Sequence, residues 1–154
     1  MTHRMTIALA SLVSGLVALY LHLWKLGLAG SLACGGGHGC EIVQFSSWGW
    51  FLGVDVALIG TIGYALIFTV ALLGTMPRWE HAAWPTYALL ALVVPAFLFT
   101  LRLKRAEFFV LKTFCPWCAV SAVTITLCLV LVVLDWRRLR RGSAEAAAIP
   151  APAR

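Results

Sequence analysis

Four long runs without Asp, Glu, Lys or Arg dominate the polarity pattern of this sequence. They cover residues 5–24, 56–76, 82–101 and 113–134, and each is 20 to 22 residues long. An α-helix rises about 1.5 Å per residue, so each run can cross the roughly 30 Å hydrocarbon core of a bilayer. Only helices satisfy all their backbone polar groups at this length in lipid. The pattern therefore predicts an all-α integral membrane protein, a bundle of four transmembrane helices.

The segments between and after these runs predict the remaining organisation. The longest, between the first and second runs, should form a loop with a short interfacial helix, with Ser46 as a helix cap and Trp48 and Trp50 as interfacial anchors. We expect one membrane domain over residues 1–141 and a disordered tail, rich in Ala and Pro, over 142–154. A cleaved signal peptide is the alternative for the first run, which is longer than a typical signal core.

Composition supports a membrane protein and excludes two other classes. Hydrophobic residues make up 62% of the chain and charged residues 12%, whereas a soluble domain has roughly 45–50% and about 25%. So few charges cannot cover a surface that faces water. They also argue against a disordered or nucleic-acid-binding chain, despite a net charge of +6.

The basic residues predict the orientation of the bundle. Four spans place both termini on one face, and the cluster Arg137, Arg138, Arg140 and Arg141 lies directly at a membrane exit on that face. By the positive-inside rule, we expect the termini to be cytoplasmic. Asp55, at the entry of the second span, is expected to lie in headgroup water.

The clearest candidate for chemistry is the motif Cys115-Pro116-Trp117-Cys118 at the start of the fourth span. Pro116 suits the first position of a helix, which makes Cys115 the N-terminal cap. Unpaired N–H groups and the helix dipole there lower the pKa of a thiol and favour thiol–disulfide exchange. A static disulfide or half of a zinc site is the alternative at this spacing.

A second cysteine pair, Cys34 and Cys40, lies in the loop before the second span, separated by four glycines and His38. Glycine gives the loop the backbone freedom to carry a thiol from one partner to another. A plain turn closed by an ordinary disulfide is the alternative, and His38 is expected to be a solvated loop residue. Cys128, about 15 Å deeper along the helix than Cys118, is expected to be a small buried apolar residue.

These features together resemble the vitamin K epoxide reductase family, in particular its bacterial homologues. The resemblance covers roughly residues 34–121 and includes the loop cysteines, the run from Cys40 to Gly49, Gly53, the run from Gly60 to Tyr64, the run from Phe108 to Leu111, and the motif from Phe114 to Cys118.

The resemblance implies a membrane thiol oxidoreductase. In such a protein Cys34 exchanges with a separate thioredoxin-like (DsbA-like) protein, Cys40 exchanges with Cys115, and Cys118 contacts a quinone inside the bundle. Electrons would pass from the partner through both pairs to the quinone, supporting disulfide formation in exported proteins. The protein would lie in the bacterial inner membrane, with its four redox cysteines on the oxidising, extracytoplasmic side.

The resemblance also implies where the quinone binds. We expect the site to be lined by Phe45, Val56, Ile59, Tyr64, Leu111, Phe114, Cys118 and Ala122, with Ser46 in the loop that covers it. Val56 and Ala122 stand where some animal members have a polar residue and a tyrosine. A respiratory quinone, ubiquinone or menaquinone, is therefore expected rather than vitamin K epoxide.

Two other classes are also compatible with the sequence. A DsbB-type quinone-linked thiol oxidase also has four helices and two dithiols, but with the CxxC pair in its first external loop. A non-enzymatic membrane protein could instead bind zinc or copper through the cysteines and His38. The resemblance predicts no bound metal.

Overall fold

The computed structural model describes residues 2–30, 38–80 and 82–148. Within these ranges the four long helices are α1 (Thr2–Lys25), α3 (Val56–Leu73), α4 (Trp84–Arg105) and α5 (Pro116–Ala148). A short helix α2 (Gly39–Phe45), a 3₁₀ turn (Ser47–Gly49) and two strands, β1 (Trp50–Phe51) and β2 (Val54–Asp55), lie between α1 and α3. The prediction of an all-α bundle of four transmembrane helices is confirmed.

The four long helices close into a bundle in which each contacts two neighbours. Helix α1 packs on α3 and α5, and α4 packs on the same two helices. The core contains Ile7, Ala8, Tyr64, Ile67, Ala71, Leu89, Val93, Ile125, Cys128 and Val132. Cys128 is fully buried, as predicted.

The outside of the bundle carries many exposed apolar side chains. All four helices are long and apolar enough to cross a membrane, yet only 17–33% of the most apolar stretch of each is buried within the protein. Large side chains such as Leu9, Leu16 and Val123 are exposed. A surface of this kind is stable only against lipid.

An arginine clamps one end of the bundle. Arg4 is buried, and its guanidinium donates to the Asp135 carboxylate at 3.1 Å, to the Thr86 hydroxyl at 3.1 Å and to the Gly74 carbonyl at 2.8 Å. These contacts join α1 to the end of α3, to α4 and to α5. Because each nitrogen of the guanidinium group has an acceptor, the buried charge of Arg4 is tolerated.

The small β-hairpin before α3 was not predicted. Trp50 pairs with Asp55 and Phe51 with Val54 in an antiparallel register. Leu52 and Gly53, between the strands, both have positive φ, as a two-residue hairpin turn of type I′ requires.

Helix α5 extends further than expected. It continues to Ala148, so residues 142–148 of the predicted disordered tail are helical. Their composition explains this, because Glu145 and the alanines around it are strong helix formers that extend a helix already stabilised by packing. Residues 149–154 of the predicted tail lie outside the described residues, and the division into domain and tail stays a prediction.

Asp55 corrects a second expectation. Only 4% of its surface is exposed, so it does not lie in headgroup water. It caps α3 by accepting a hydrogen bond from the Ala57 amide at 3.1 Å, and it pairs with His22 and Lys25 at the end of α1. The two basic side chains and the cap make burial of the carboxylate tolerable.

Candidate functional site

The CxxC motif begins helix α5. The Cys115 carbonyl accepts the first intrahelical hydrogen bond, from Ala119 at 3.1 Å, and the Cys118 amide lies 3.4 Å from the Cys115 Sγ. Cys115 is therefore the cap residue before Pro116, as predicted. Both thiols are free; Cys115 is fully buried and Cys118 is partly buried.

The surroundings of Cys115 favour its thiolate. A hydrogen bond from the Cys118 side chain lowers the pKa of Cys115 to about 7, although burial and the nearby Glu107 carboxylate oppose the shift. Hydrogen bonds from the backbone of Trp117 and Cys118 contribute in the same direction. Donors of this kind are available because the first N–H groups of a helix have no intrahelical partner.

Helix α2 lies directly over this motif. Its buried residues are Cys40 and Gln44, which are four positions apart and so share one face. A β-carbon at Gly39 would lie 2.5 Å from the Phe114 carbonyl oxygen, so only glycine allows this approach without a shift. The Gln44 amide lies 3.7 Å from the Cys118 Sγ. Cys40 is therefore held between two contacts with the start of α5.

Cys40 is fully buried and forms a disulfide. The other predicted loop cysteine, Cys34, lies outside the described residues. His38 is highly exposed and lies 3.2 Å from the Glu41 carboxylate, in agreement with a solvated loop residue.

A cavity of about 450 Å³ extends from Cys118 into the bundle. This volume suits a small organic molecule. Most of its lining is apolar, from α1, α3, α4 and α5, and Val43, Gln44, Trp48, Gly49 and Phe51 line it from the segment between α1 and α3. An apolar cavity with a few polar groups beside a thiol can hold a small lipid-soluble molecule.

Five of the residues predicted to line a quinone site face this cavity, namely Val56, Ile59, Tyr64, Leu111 and Cys118. The other three do not line it. Phe45 is on the outer side of α2 against Trp24, and Phe114 is exposed and stacks near Phe108. Ala122 follows Ser121, which does line the cavity, and one residue along a helix turns the side chain by about 100°.

Ser46 lies in the covering segment, in the N-cap position of the 3₁₀ turn, but its hydroxyl makes no capping hydrogen bond. It donates to the Val43 carbonyl at 2.7 Å, closing the end of α2. A β-carbon at Gly49 would overlap the Gln44 carbonyl oxygen, so the 3₁₀ turn is pressed tightly against α2. Residues 43–51 therefore form a compact segment over the cavity. We call this segment the lid.

A buried ionic cluster joins this lid to α1. Lys25 Nζ lies 2.5 Å from Asp55 Oδ1 and 3.3 Å from the Gly49 carbonyl, and it sits over the Trp50 ring. His22 Nδ1 lies 2.7 Å from Asp55 Oδ2. Burial raises the pKa of Asp55, but the hydrogen bonds from Lys25, His22 and the Ala57 amide outweigh it, so the pKa lies below its usual value. The sequence marks Asp55 as an acid at the entry of a span. Its partners His22 and Lys25 could not be identified from the sequence, because they lie on a different helix, α1.

A second charged pair, also missed from the sequence, lines the cavity. Glu107 is 2% exposed; its Oε1 accepts from the Cys115 amide at 2.7 Å and its Oε2 accepts from Lys104 Nζ at 2.8 Å. It belongs to a π-helical turn, Ala106–Val110, that continues α4. From the polarity pattern, Lys104 and Glu107 are expected in a loop, because they follow the third uncharged run. No sequence motif indicates the extra residue of a π-helical turn.

Hydroxyl groups form the polar side of the cavity floor. The Tyr64 hydroxyl lies 2.8 Å from the Ser121 hydroxyl and donates to the Ser121 carbonyl at 3.0 Å. Ser14 donates to Thr124 at 2.7 Å. Within the part of the chain that the structure describes, no three His, Cys, Asp or Glu side chains are arranged to hold a metal ion.

Comparison with protein families agrees with this architecture. The model of the vitamin K epoxide reductase family matches residues 5–133, more than four fifths of the chain, including all of α3 and α4, most of α1 and α5, and both cysteine pairs. Members of this family are oxidoreductases that use quinones as electron partners. The chain belongs to the vitamin K epoxide reductase family and is a membrane oxidoreductase.

Proposed function

We propose that this protein passes electrons from an extracytoplasmic dithiol protein to a quinone, through Cys34 and Cys40 and then through Cys115 and Cys118. The observation that carries the proposal is the position of Cys118. Its thiol is contacted by the lid through Gln44 and faces the apolar cavity. The CxxC motif can therefore exchange electrons with the loop cysteines on one side and with a molecule in the cavity on the other.

The loop pair is the entry point. Cys40 forms a disulfide while Cys115, Cys118 and Cys128 are free, and membership of the family implies that the partner of Cys40 is Cys34. A partner dithiol reduces this bridge and becomes a disulfide itself. The exposed His38 beside Cys40 is consistent with access by a second protein.

The transfer between the pairs is a thiol–disulfide exchange. The reduced Cys40 attacks Cys115 in the Cys115–Cys118 disulfide, and Cys118 leaves as a thiol. Cys34 then attacks Cys40 and releases Cys115, which restores the Cys34–Cys40 bridge and leaves the CxxC pair reduced. The low pKa of Cys115 makes it a good leaving group in the second step.

The acceptor is a respiratory quinone, ubiquinone or menaquinone. A bound quinone takes up two electrons and two protons as the Cys115–Cys118 disulfide forms, and leaves as the quinol. The chain holds the dithiol at the cavity wall, excludes water with its apolar lining, and covers the site with the lid. Val56 lines the cavity where some animal members have a polar residue, which favours a respiratory quinone over an epoxide that needs a polar contact.

The redox cysteines are proposed to lie outside the bacterial inner membrane, with both termini in the cytoplasm. The arginine cluster at Arg137–Arg141 supports this orientation. In intact cells treated with a permeant reductant, a membrane-impermeant maleimide should label Cys34. Labelling only after lysis would reverse the topology.

The function is tested by quinone reduction with purified protein and two donors, a reduced thioredoxin-like protein and dithiothreitol. Cys34→Ala and Cys40→Ala should lose turnover with the protein donor but keep part of it with dithiothreitol. Cys118→Ala should lose both, whereas Cys128→Ala, in the core, should lose neither. Equal loss in the first three variants with dithiothreitol would contradict these separate roles.

A further inference from the structure

Glu107 is a costly residue in its surroundings. It lies inside a membrane span, is almost fully buried, and is paired with a single cation, Lys104. Moving both charges out of water costs several kcal/mol per ion, and their attraction regains only part of it. A glutamine could accept the same hydrogen bond from the Cys115 amide without a charge. The presence of an acid at this position therefore points to a role for the charge or for a proton.

The position of Glu107 connects the two halves of the redox reaction. Its Oε1 is 2.7 Å from the amide nitrogen of Cys115, and its side chain lines the same cavity as Cys118. Among the described residues that line the cavity, Lys104 and Glu107 are the charged ones. The π-helical turn, closed by the hydrogen bond from the Leu111 amide to the Ala106 carbonyl at 2.9 Å, sets the register of Glu107 relative to the motif.

The reaction needs such a group. Oxidation of the Cys115–Cys118 dithiol breaks two S–H bonds, forms one S–S bond and releases two electrons and two protons. A quinone that takes the electrons must also take two protons to leave as a neutral quinol. The apolar cavity supplies few groups that can move a proton, and the hydroxyls of Tyr64 and Ser121 already bond to each other.

We propose that Glu107 carries protons from the Cys115–Cys118 dithiol to the quinone in the cavity. The carboxylate takes one proton from a thiol as the S–S bond forms and gives it to a quinone oxygen, and it then carries the second proton to the other quinone oxygen in the same way. Both protons of the dithiol thus leave on the quinol, and the carboxylate is unchanged after each turnover. This inference rests on the proposed function and adds the residue that balances its protons.

Lys104 acts here as a positioning residue. Its ammonium group holds Oε2 of Glu107 at 2.8 Å and also lies over the rings of Phe108 and Phe114. The ionisable groups that face Glu107 are Lys104 on its own helix and Cys115 and Cys118 on α5. From the lid, Gln44 contributes a neutral amide.

The central variant is Glu107→Gln, which keeps an oxygen to accept from the Cys115 amide. With dithiothreitol as donor, quinone reduction should fall by roughly 100-fold, the usual scale of a lost proton-transfer group. The solvent isotope effect on the rate should rise, because proton transfer becomes limiting. Glu107→Asp, which retains a carboxyl group, should recover part of the rate. Glu41→Gln is the matched control, because it removes an exposed carboxylate on the same side of the bundle and should not change the rate.

Infrared difference spectroscopy gives a readout that does not depend on turnover. Reducing and reoxidising the CxxC pair without quinone should change a carboxyl band in the wild-type protein, and Glu107→Gln should abolish that change.

Three results would overturn the inference: a wild-type rate in Glu107→Gln, a rate loss with no rise in the isotope effect, or a redox-dependent carboxyl band change that persists in Glu107→Gln. A wild-type protein that reduces no quinone would instead refute the proposed function itself, and with it this role of Glu107.

Discussion

Gly39 and Phe114 are packed backbone against backbone, close enough that a methyl group at Gly39 would lie 2.5 Å from the Phe114 carbonyl oxygen. The contact joins the residue before Cys40 to the residue before Cys115. Cys40 and Cys115 are about 75 positions apart in sequence. They lie close together because Gly39 has no side chain to keep the two backbones apart.

Replacing Gly39 should therefore slow the transfer between the two dithiols. Gly39→Ala forces α2 away from α5, and a misplacement approaching 1 Å can cost about 100-fold in rate. Turnover with the thioredoxin-like donor should drop by at least about tenfold, while dithiothreitol, which can reduce the CxxC pair directly, should support the wild-type rate. Gly30→Ala is the control, since no atom lies within 4 Å of its added methyl group. Equal loss with both donors would mean that the substitution damages the quinone site.

The same proximity predicts a trapped intermediate. In a Cys34→Ala, Cys118→Ala double variant, Cys40 and Cys115 have each lost the thiol that would resolve a bridge between them. A disulfide needs Cα atoms roughly 4.4–6.8 Å apart, and the contacts made by Gly39 and Gln44 favour such an approach. Mass spectrometry of the non-reduced protein should find the two peptides joined. Two free thiols under oxidising conditions would favour a static Cys34–Cys40 disulfide.

The pKa of Cys115 predicts a titration near neutral pH. Because its pKa is lowered to about 7, the thiolate should appear as the pH rises through 7 and be lost below it. Ultraviolet thiolate absorbance would follow this in a reduced variant without Cys34, Cys40 and Cys128. Removing Cys118 as well should raise the midpoint toward the ordinary value of 9.0, because its side-chain hydrogen bond is the largest cause of the shift. An unchanged midpoint would assign the shift to the helix backbone instead.

The sequence predicted the fold correctly where a single property of the residues decides the local structure. Runs without charge define the four helices, since lipid leaves the backbone no alternative, and Pro116 marks the start of α5. Helix ends were less accurate. Helix α4 passes through Arg102 and Lys104, because cations near a helix C-terminus are favourable and their long side chains can reach polar groups.

The polar partners of the site could not be read from the sequence. Glu107 lies eight residues before Cys115 and reaches it only because a π-helical turn sets its register. Lys25 and Asp55 are 30 residues apart and meet because α1 packs along α3. Such pairs depend on how the helices pack, which a single hydrophobic pattern does not encode.

The pair of Lys25 and Asp55 yields the last prediction. Both side chains are 4% exposed, and Lys25 also holds the Gly49 carbonyl of the lid. Asp55→Asn keeps the cap on α3 but leaves a buried ammonium group without its counter-charge, which should cost about 3 kcal/mol of unfolding free energy. Because the pKa of Asp55 is lowered in the folded protein, this contribution should be complete at neutral pH. It should be lost only as the pH falls below 3.8, through the lowered pKa.

Thermal unfolding in detergent, measured for the wild-type protein and Asp55→Asn between pH 7 and pH 3, checks the size and the sign of the effect. Adding Lys25→Met to Asp55→Asn should restore much of the stability. Methionine fills a similar volume in the protein interior but carries no charge, so no unpaired ammonium group stays buried. Glu41→Gln breaks the exposed pair with His38 and should leave the melting temperature unchanged, since exposed pairs contribute little. If Asp55→Asn melts like the wild type at pH 7, the charge of Asp55 does not hold the lid to α1, and its role reduces to the cap on α3.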